Sequence, residues 1–374
     1  MGKRLRLLGE DNVPHIRDRI RRAAEAAGLL PDQVVVDHSD SARLLRSRDR
    51  RLPRWNPCRW RHIRVRRRRR TGGAIKSNAT RIVREVADDL EAAGLRARII
   101  ARDLDSGAEV TLAPEGFVPL ASVVKVPIAV AVLAKISAGV LAADQLVRVE
   151  PAGVDSASPT GSARFRHPAW LAVNDLLTLS VCFSDNTATD ALLRVVPMAD
   201  ASRELNELGL VGIHVRHYLG ELARTPLERL ERTEAHLAFD LAAVGPTDGD
   251  GHRIWQLDVS QANAGTAAGL VDLLAEVWRP GRIDTEAAAR MRELMSGNIL
   301  RHRLAPDLSS DAAQWSSKTG TLLHLRHEIG VVDHADGQSI ALVLLSESRN
   351  PASVQPAAEA ALGAAARALH DLLR

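Results

Sequence analysis

The sharpest constraint on this chain is a break in charge near residue 70. Residues 1–70 carry 21 Lys+Arg against 8 Asp+Glu, whereas the rest of the chain carries 29 against 38, so the overall +4 is the difference between a strongly basic end and an acidic body. Within residues 41–70 there are 14 Arg and one Asp, ending in the run Arg66–Arg70. Charge at that density repels itself and leaves little apolar surface to bury, so no core is expected there. A basic balance usually points to nucleic acid or an anionic membrane surface, but here it describes one end of the molecule and says nothing of the body.

Residues 13–30 have the pattern of one basic amphipathic helix. Three readings of the basic end stay open. Trp55 and Trp60 interleave with arginines, as an arm that stacks on nucleic-acid bases would require. A charged run is also what a solvated linker looks like. A mis-set translation start, with residues 1–76 absent from the mature protein, is the third. The opening MGKRLRLLGEDN has no apolar stretch of secretory length and no small-residue cleavage site. The most apolar stretch, Val126–Val140, is short for a membrane span and contains Lys135.

The body, from about Ser77, has the texture of a compact domain. With apolar residues at 45% and aromatics at only 3%, the core must be aliphatic. Two cysteines, Cys58 and Cys182, are too few for a disulfide framework, and Cys182 reads as core packing. A helix is expected from Ser77 through Ile82, Val83, Val86 and Leu90 to the stop at Gly94. Arg96–Leu104, the turn Asp105-Ser106-Gly107 and Glu109–Leu112 read as a β-hairpin. Ala121–Val140 is a long apolar helix, and residues 149–279 are helical and loop-rich. Strands return at Gln314–Thr321, Glu328–Val332 and Ile340–Leu345, and Pro356–Arg374 closes the chain as a helix. Helix, two strands, a helical middle, three strands and a final helix describe an α/β domain, an α+β sandwich, with an all-α domain inserted.

Three short motifs fall in order along this pattern: Ser122-Val123-Val124-Lys125, Ser184-Asp185-Asn186 and Lys318-Thr319-Gly320-Thr321. Ser122 opens a helix, and a residue three positions on lies on the same face one turn away, within reach of its hydroxyl. A serine hydroxyl is a weak nucleophile until a base takes its proton. An amine does so only when neutral, and burial under Val123, Val124, Val126 and Ile128 would depress the Lys125 pKa in the needed direction. The helix start adds partial positive charge where an oxyanion would develop. Ser184-Asp185-Asn186 precedes the helical pattern Ala188, Leu192, Leu193, where a helix cap would also sit. Lys318-Thr319-Gly320-Thr321 lies on a strand, where an ordinary polar edge would also read this way, but the glycine is what close approach of a substrate would require.

Together the motifs resemble those of class A β-lactamases and penicillin-binding serine hydrolases, over roughly residues 77–374. The resemblance implies a five-stranded antiparallel sheet flanked by the N- and C-terminal helices, an α/β lobe of residues 77–148 and 286–374, and an all-α lobe of 149–285. It implies Ser122 as nucleophile, Lys125 as base and Ser184 as proton relay. Asn186 would bond the substrate amide or Lys125, and Lys318 would lie near Ser184. Thr319 would bind a substrate carboxylate, with Arg326 as its strand-borne partner, and Gly320 would admit the ligand. The backbone N–H groups of Ser122 and Thr321 would form the oxyanion hole.

One part of the pattern departs. Members that turn over use a glutamate on the loop after the Ser184 helix to activate the deacylating water. Here that loop reads GLVGIHVRHYLGEL (209–222) and lacks the family spacing; Glu221 is the nearest match, and about forty residues separate it from the next helix, Thr266–Val277. A serine hydrolase that opens β-lactam rings is therefore the leading expectation, with Glu221 as its deacylation base. A slowly deacylating DD-carboxypeptidase or esterase is the alternative, and a non-turnover penicillin sensor with a basic nucleic-acid-binding arm is a second. The expected ligand is a β-lactam or a peptidoglycan-like peptide. No cofactor or nucleic acid is required, the chain is expected to be monomeric, and no H-x-x-x-H or H-E-x-x-H pair suggests a metal. The family usually works outside the cytoplasmic membrane, and no export signal is visible.

Overall fold

The computed structural model describes residues 5–8, 34–37, 63–66, 73–151, 160–243, 247, 249 and 251–374. The expected helix at 13–30, Cys58, Trp55 and Trp60 lie outside the described residues, as does the arginine run from Arg67 on. Leu5–Leu8 (β1) and Val34–Asp37 (β2) pair in parallel as a separate two-stranded sheet. Ile63–Arg66 (β3) pairs antiparallel with Glu109–Leu112. The first helix, Gly73–Ala92 (α1), starts before Ser77 and is followed by a turn at Gly94, whose φ of +77° is a conformation that glycine adopts freely. Leu95–Asp103 (β4) and Glu109–Leu112 (β5) form the expected hairpin.

After β5 comes the short strand Phe117–Pro119 (β6), then a 3-10 turn at Ala121–Val124 and the helix Lys125–Ser137 (α2). Leu146–Val149 (β7) and Ala169–Ala172 (β8) make a small ribbon. Helices Val173–Cys182 (α3), Asn186–Val195 (α4) and Met198–Glu207 (α5) follow, then Ile213–His214 (β9). The long stretch beyond Glu221 holds short 3-10 turns, the helix Ala235–Ala243 (α6) and the strand Ala264–Thr266 (β10), which pairs with both β6 and β9. Helices Ala267–Trp278 (α7), Thr285–Ser296 (α8) and Ala305–Leu308 (α9) lead to the strands Ala313–Leu322 (β11), Leu325–His334 (β12) and Ser339–Ser348 (β13). Pro356–Asp371 (α10) closes the chain.

The main sheet is antiparallel in the order β11-β12-β13-β4-β5-β3, six strands rather than the expected five. The extra edge strand belongs to the basic segment. Ile63-Arg64-Val65-Arg66 alternates apolar and charged residues, and that two-residue period sets a strand even where the charge count argues against a core. β13 is buried along its whole length because both faces are covered. Ile340, Leu342 and Leu344 pack with Val83 and Leu90 of α1 and with Leu362 and Leu369 of α10, while Ala341, Val343 and Leu345 join the core shared with α2 and α7. That second core runs on into the helical lobe and seats the three motifs along one seam.

Candidate active site

Ser122 stands on the 3-10 turn between β6 and α2. The preceding residue, Ala121, has φ +47°, a left-handed conformation that costs a non-glycine residue on the order of 1–3 kcal/mol. Surrounding contacts hold it there. The Leu120 N–H donates to Asn263 O (2.8 Å) and the Val123 N–H to Leu120 O (3.0 Å). Strand β11 presses on the same turn at Gly320, where a Cβ would stand 2.8 Å from Leu120 O and 2.9 Å from Val123 Cγ2. The glycine is therefore needed first for the protein's own packing, bringing Thr321 alongside the Ser122 turn.

Lys125 is fully buried, and its amine meets four oxygens: Ser184 O (2.6 Å), Asn186 Oδ1 (2.7 Å), Ser122 Oγ (3.1 Å) and Ser184 Oγ (3.1 Å). The two shortest contacts are to carbonyl oxygens, which only accept, so they take N–H donors. A neutral amine has two such hydrogens and keeps one lone pair, which is left for the hydroxyls. Burial drives the Lys125 pKa well below its ordinary value, and the nearby Lys318 pushes the same way; Asp185 and Asp190 oppose only in part. The neutral form suits a base for Ser122.

Ser184 joins the two lysines. Its hydroxyl lies 3.1 Å from Lys125 Nζ and 3.0 Å from Lys318 Nζ, in a residue held at φ +57°. Burial lowers Lys318 to about 7, against the opposing pull of Glu328. The next residue, Asp185, caps α4 through Ala188 N (3.1 Å) and also accepts from Ser162 N (2.5 Å) and Ser162 Oγ (2.6 Å). It thereby ties the turn Gly161–Arg164 to the site. Cys182 packs inside with its thiol on Leu294 O (3.2 Å), and burial raises its pKa.

Two expected residues stand elsewhere. Arg326 lies opposite Thr321 in the β11–β12 register, but its Nη groups donate to the carbonyls of Leu323, Leu325, Ala352 and Ser353, and Glu359 is 3.6 Å from Nε. It braces the loop before α10: its Nη hydrogens go to those carbonyls, and the buried Nε–H, left without a hydrogen bond, faces Glu359. A guanidinium that does reach the Lys318–Thr321 motif is that of Arg303, whose Nη2 donates to Thr321 Oγ1 (3.2 Å) while Glu359 Oε1 (3.0 Å) balances its charge. Fifteen residues before Lys318 and without a motif of its own, Arg303 carries no signal in the sequence. Thr319 is buried beside Lys318.

Glu221 is not brought to Lys125. Its carboxylate pairs with Arg224 (3.0 Å) at the surface, and its backbone carbonyl takes Gln256 Nε2 (3.1 Å). The loop is docked instead by Asp190, one turn after Asn186 on α4, whose two oxygens accept from Leu219 N (2.6 Å) and Gly220 N (2.9 Å). Asn263 staples the other side of the loop through Arg216 N (2.7 Å) and His217 N (3.1 Å). The residue docked on Asp190 is Leu219, fully buried and apolar. The spacing from Asn186 to Asp190 is the one sequence signal for this anchor.

Comparison with known proteins places the chain in a family. The sequence profile described as Beta-lactamase enzyme family matches residues 79–373. The chain belongs to the β-lactamase enzyme family. Within that family it is 49% identical over 308 residues to the β-lactamase regulatory protein BlaB of Streptomyces cacaoi, covering 79% of this chain and 99% of the relative. Two solved structures share the fold at low identity. A β-lactamase from Chitinophaga pinensis has a TM-score of 0.62 at 20% identity, with 79% of this chain and 100% of that one covered. A point mutant of PBP-A, solved as an acyl-enzyme complex with penicillin G, has a TM-score of 0.61 at 18% identity, with 79% of this chain and 96% of that one covered. Among the described residues, no cluster of three or more His, Cys, Asp or Glu could hold a metal, and no helix is long and apolar enough to cross a membrane.

Proposed function

We propose that this member of the family reacts covalently with β-lactams at Ser122 and keeps the acyl group, working as a β-lactam sensor rather than as a rapid hydrolase. Neutral Lys125 takes the Ser122 proton as the hydroxyl oxygen attacks the lactam carbonyl. The tetrahedral oxyanion forms against the N–H groups of Ser122 and Thr321. As it collapses, the carbonyl–nitrogen bond breaks and the ring nitrogen takes a proton through Ser184, which lies between Lys125 and Lys318. The ligand's carboxylate is held by Thr319 and Thr321, with Arg303 behind them. The product is an ester on Ser122 that carries the whole ligand.

Hydrolysis of that ester requires an activated water, and one observation separates this chain from a rapid hydrolase. The loop residue docked on Asp190 beside the Lys125 cluster is Leu219, and the nearest loop carboxylate, Glu221, is engaged with Arg224. The regulatory name carried by the Streptomyces cacaoi relative agrees with a protein whose output is an acylated state.

The test is intact-mass analysis over time after mixing the full chain with benzylpenicillin. The expected result is an increase by the mass of the whole drug that persists for hours and is absent in Ser122→Ala. An adduct that disappears within seconds, with drug turned over, overturns the sensor reading in favour of a β-lactamase. Absence of any adduct or turnover overturns acylation itself.

A further inference from the structure

Behind the seam, on β12, stands a carboxylate that the acylation chemistry leaves unused. Glu328 is fully buried and lies opposite Thr319 in the β11–β12 register. Its Oε1 accepts from Trp315 Nε1 (2.8 Å) and Ser317 Oγ (2.7 Å), and its Oε2 accepts from Leu304 N (3.0 Å). Ser317 is held in turn by Asn298 Nδ2 (3.2 Å). All three donors to the carboxylate are neutral, and Glu328 pairs with no Lys, Arg or His among the described residues. Neutral donors satisfy the oxygens but leave the charge itself unbalanced, which is costly in a buried place. Trp315 and Ser317 alternate with Lys318 along β11, so Glu328 backs the strand that presents the Lys318 amine to Ser184.

The other charged and titratable groups around Lys318 are Lys125 from α2, the Cys182 thiol from α3, Asp185 at the start of α4 and Arg303 from the turn before α9. Asp185 is taken up by Ser162 and by the cap of α4, and Arg290 and Glu293 of α8 act on Cys182. Burial lowers the Lys318 amine to about 7; Glu328 is the strongest influence against that fall, Arg303 adds to it, and Cys182 opposes it. Lys318 in turn pushes Lys125 down. The two amines share the Ser184 hydroxyl, so only one of them can carry a charge there at low cost. A carboxylate behind Lys318 decides which one.

We infer that Glu328 is a positioning residue of the acylating seam: its charge behind β11 keeps the Lys318 amine protonated, and that cation keeps Lys125 neutral as the base for Ser122. The inference rests on the acylation reading and adds the group that sets its working pH. Glu328 touches neither ligand nor nucleophile, so its signature is the pH at which acylation fails.

Second-order acylation rates with benzylpenicillin are measured by rapid-quench mass analysis from about pH 5 to 9, on the full chain and on its variants. In the full chain the rate is expected to fall above about pH 7, where Lys318 loses its proton. Glu328→Gln has the same size and can still accept from Trp315 and Ser317. It should bring that fall about one pH unit lower, which makes acylation roughly tenfold slower above neutral pH. Ser317→Ala removes a hydrogen bond to Glu328 and no charge, and should move the fall by less than about 0.3 unit. A measurement that needs no change at Glu328 is the ¹³Cε spectrum of the full chain at about pH 6, assigned with Lys318→Met, which should show Lys318 charged and Lys125 neutral. A fall at the same pH in Glu328→Gln and the full chain, an equal shift in Ser317→Ala, or two neutral lysines at that pH overturns this inference and leaves acylation standing. Absence of any adduct in the full chain at every pH overturns the acylation reading, and this inference with it.

Discussion

The Lys125–Ser184–Lys318 seam and the loop from Leu210 to Asn263 lie against each other, yet they are built on different terms. In the seam each polar group is fixed by short contacts: Lys125 meets four oxygens, Ser184 bridges two amines, and two residues sit in left-handed conformations that only surrounding structure can hold. The loop is fixed just as firmly, by Asp190 and Asn263, but through its backbone, and it presents leucine where a turnover enzyme needs a carboxylate. In the proposed function acylation and deacylation depend on separable parts of the fold, so that the first could be complete while the second lacks its base.

The largest test of that contrast is to supply the missing group. Leu219→Glu places a carboxylate on the loop backbone that Asp190 anchors, beside the Lys125 cluster. A positioned general base contributes on the order of 10²–10⁴-fold, so loss of the penicillin adduct is expected to accelerate by about a hundredfold. Leu219→Gln, of the same size but without charge, is the control and is expected to leave the adduct long-lived. Adduct decay is followed by intact mass, and equal decay in the two variants would break the contrast between seam and loop.

A second test reads the seam through pH. Burial holds the Lys318 amine at about 7 in the folded protein, well below a free lysine. Between that value and the unfolded pKa the unfolded chain binds a proton that the folded chain has released, so stability rises with pH across this window. Toward pH 7 the stability falls, and below it both states are protonated and the cost of burying a charged lysine is complete. Lys125, shifted the same way, adds to the rise. Urea midpoints measured between pH 7 and 9.5 should climb, with a slope of at most about 1.4 kcal/mol per unit from each amine. Lys318→Met should flatten the climb; an unchanged slope would mean that Lys318 keeps its charge in the folded protein.

What is legible in the sequence follows the same division. The motifs, the hairpin and β11–β13 are readable because each rests on local spacing or on a run of buried apolar residues. Glu221 and Arg326 are indicated only by offset along the chain, and offset does not specify direction: one side chain meets Arg224 and the other meets the carbonyls before α10. Arg303 and Asp190 escape a reading of the sequence because their partners are distant along it. Arg303 touches Thr321 across 18 residues, and Asp190 touches Leu219 across 29. The Ile63–Arg66 strand is hidden by the charge around it, although its two-residue alternation is there to be read.

The smallest effect concerns Glu221, and it sharpens the comparison because the expectation is near zero. Its partner Arg224 is 66% exposed, and a pair of this kind contributes about 0–1 kcal/mol. The loop does not depend on that pair, since Asp190, Asn263 and the Gln256 contact to the Glu221 carbonyl act on backbone atoms that a side-chain change leaves in place. Glu221→Gln should therefore shift the thermal midpoint by only a few degrees and change adduct decay by less than twofold. A tenfold slowing of decay would mean that the Glu221 carboxylate leaves Arg224 once Ser122 is acylated. The loop would then be a moving part, and the separation between the acylating seam and a fixed, base-free loop would fail.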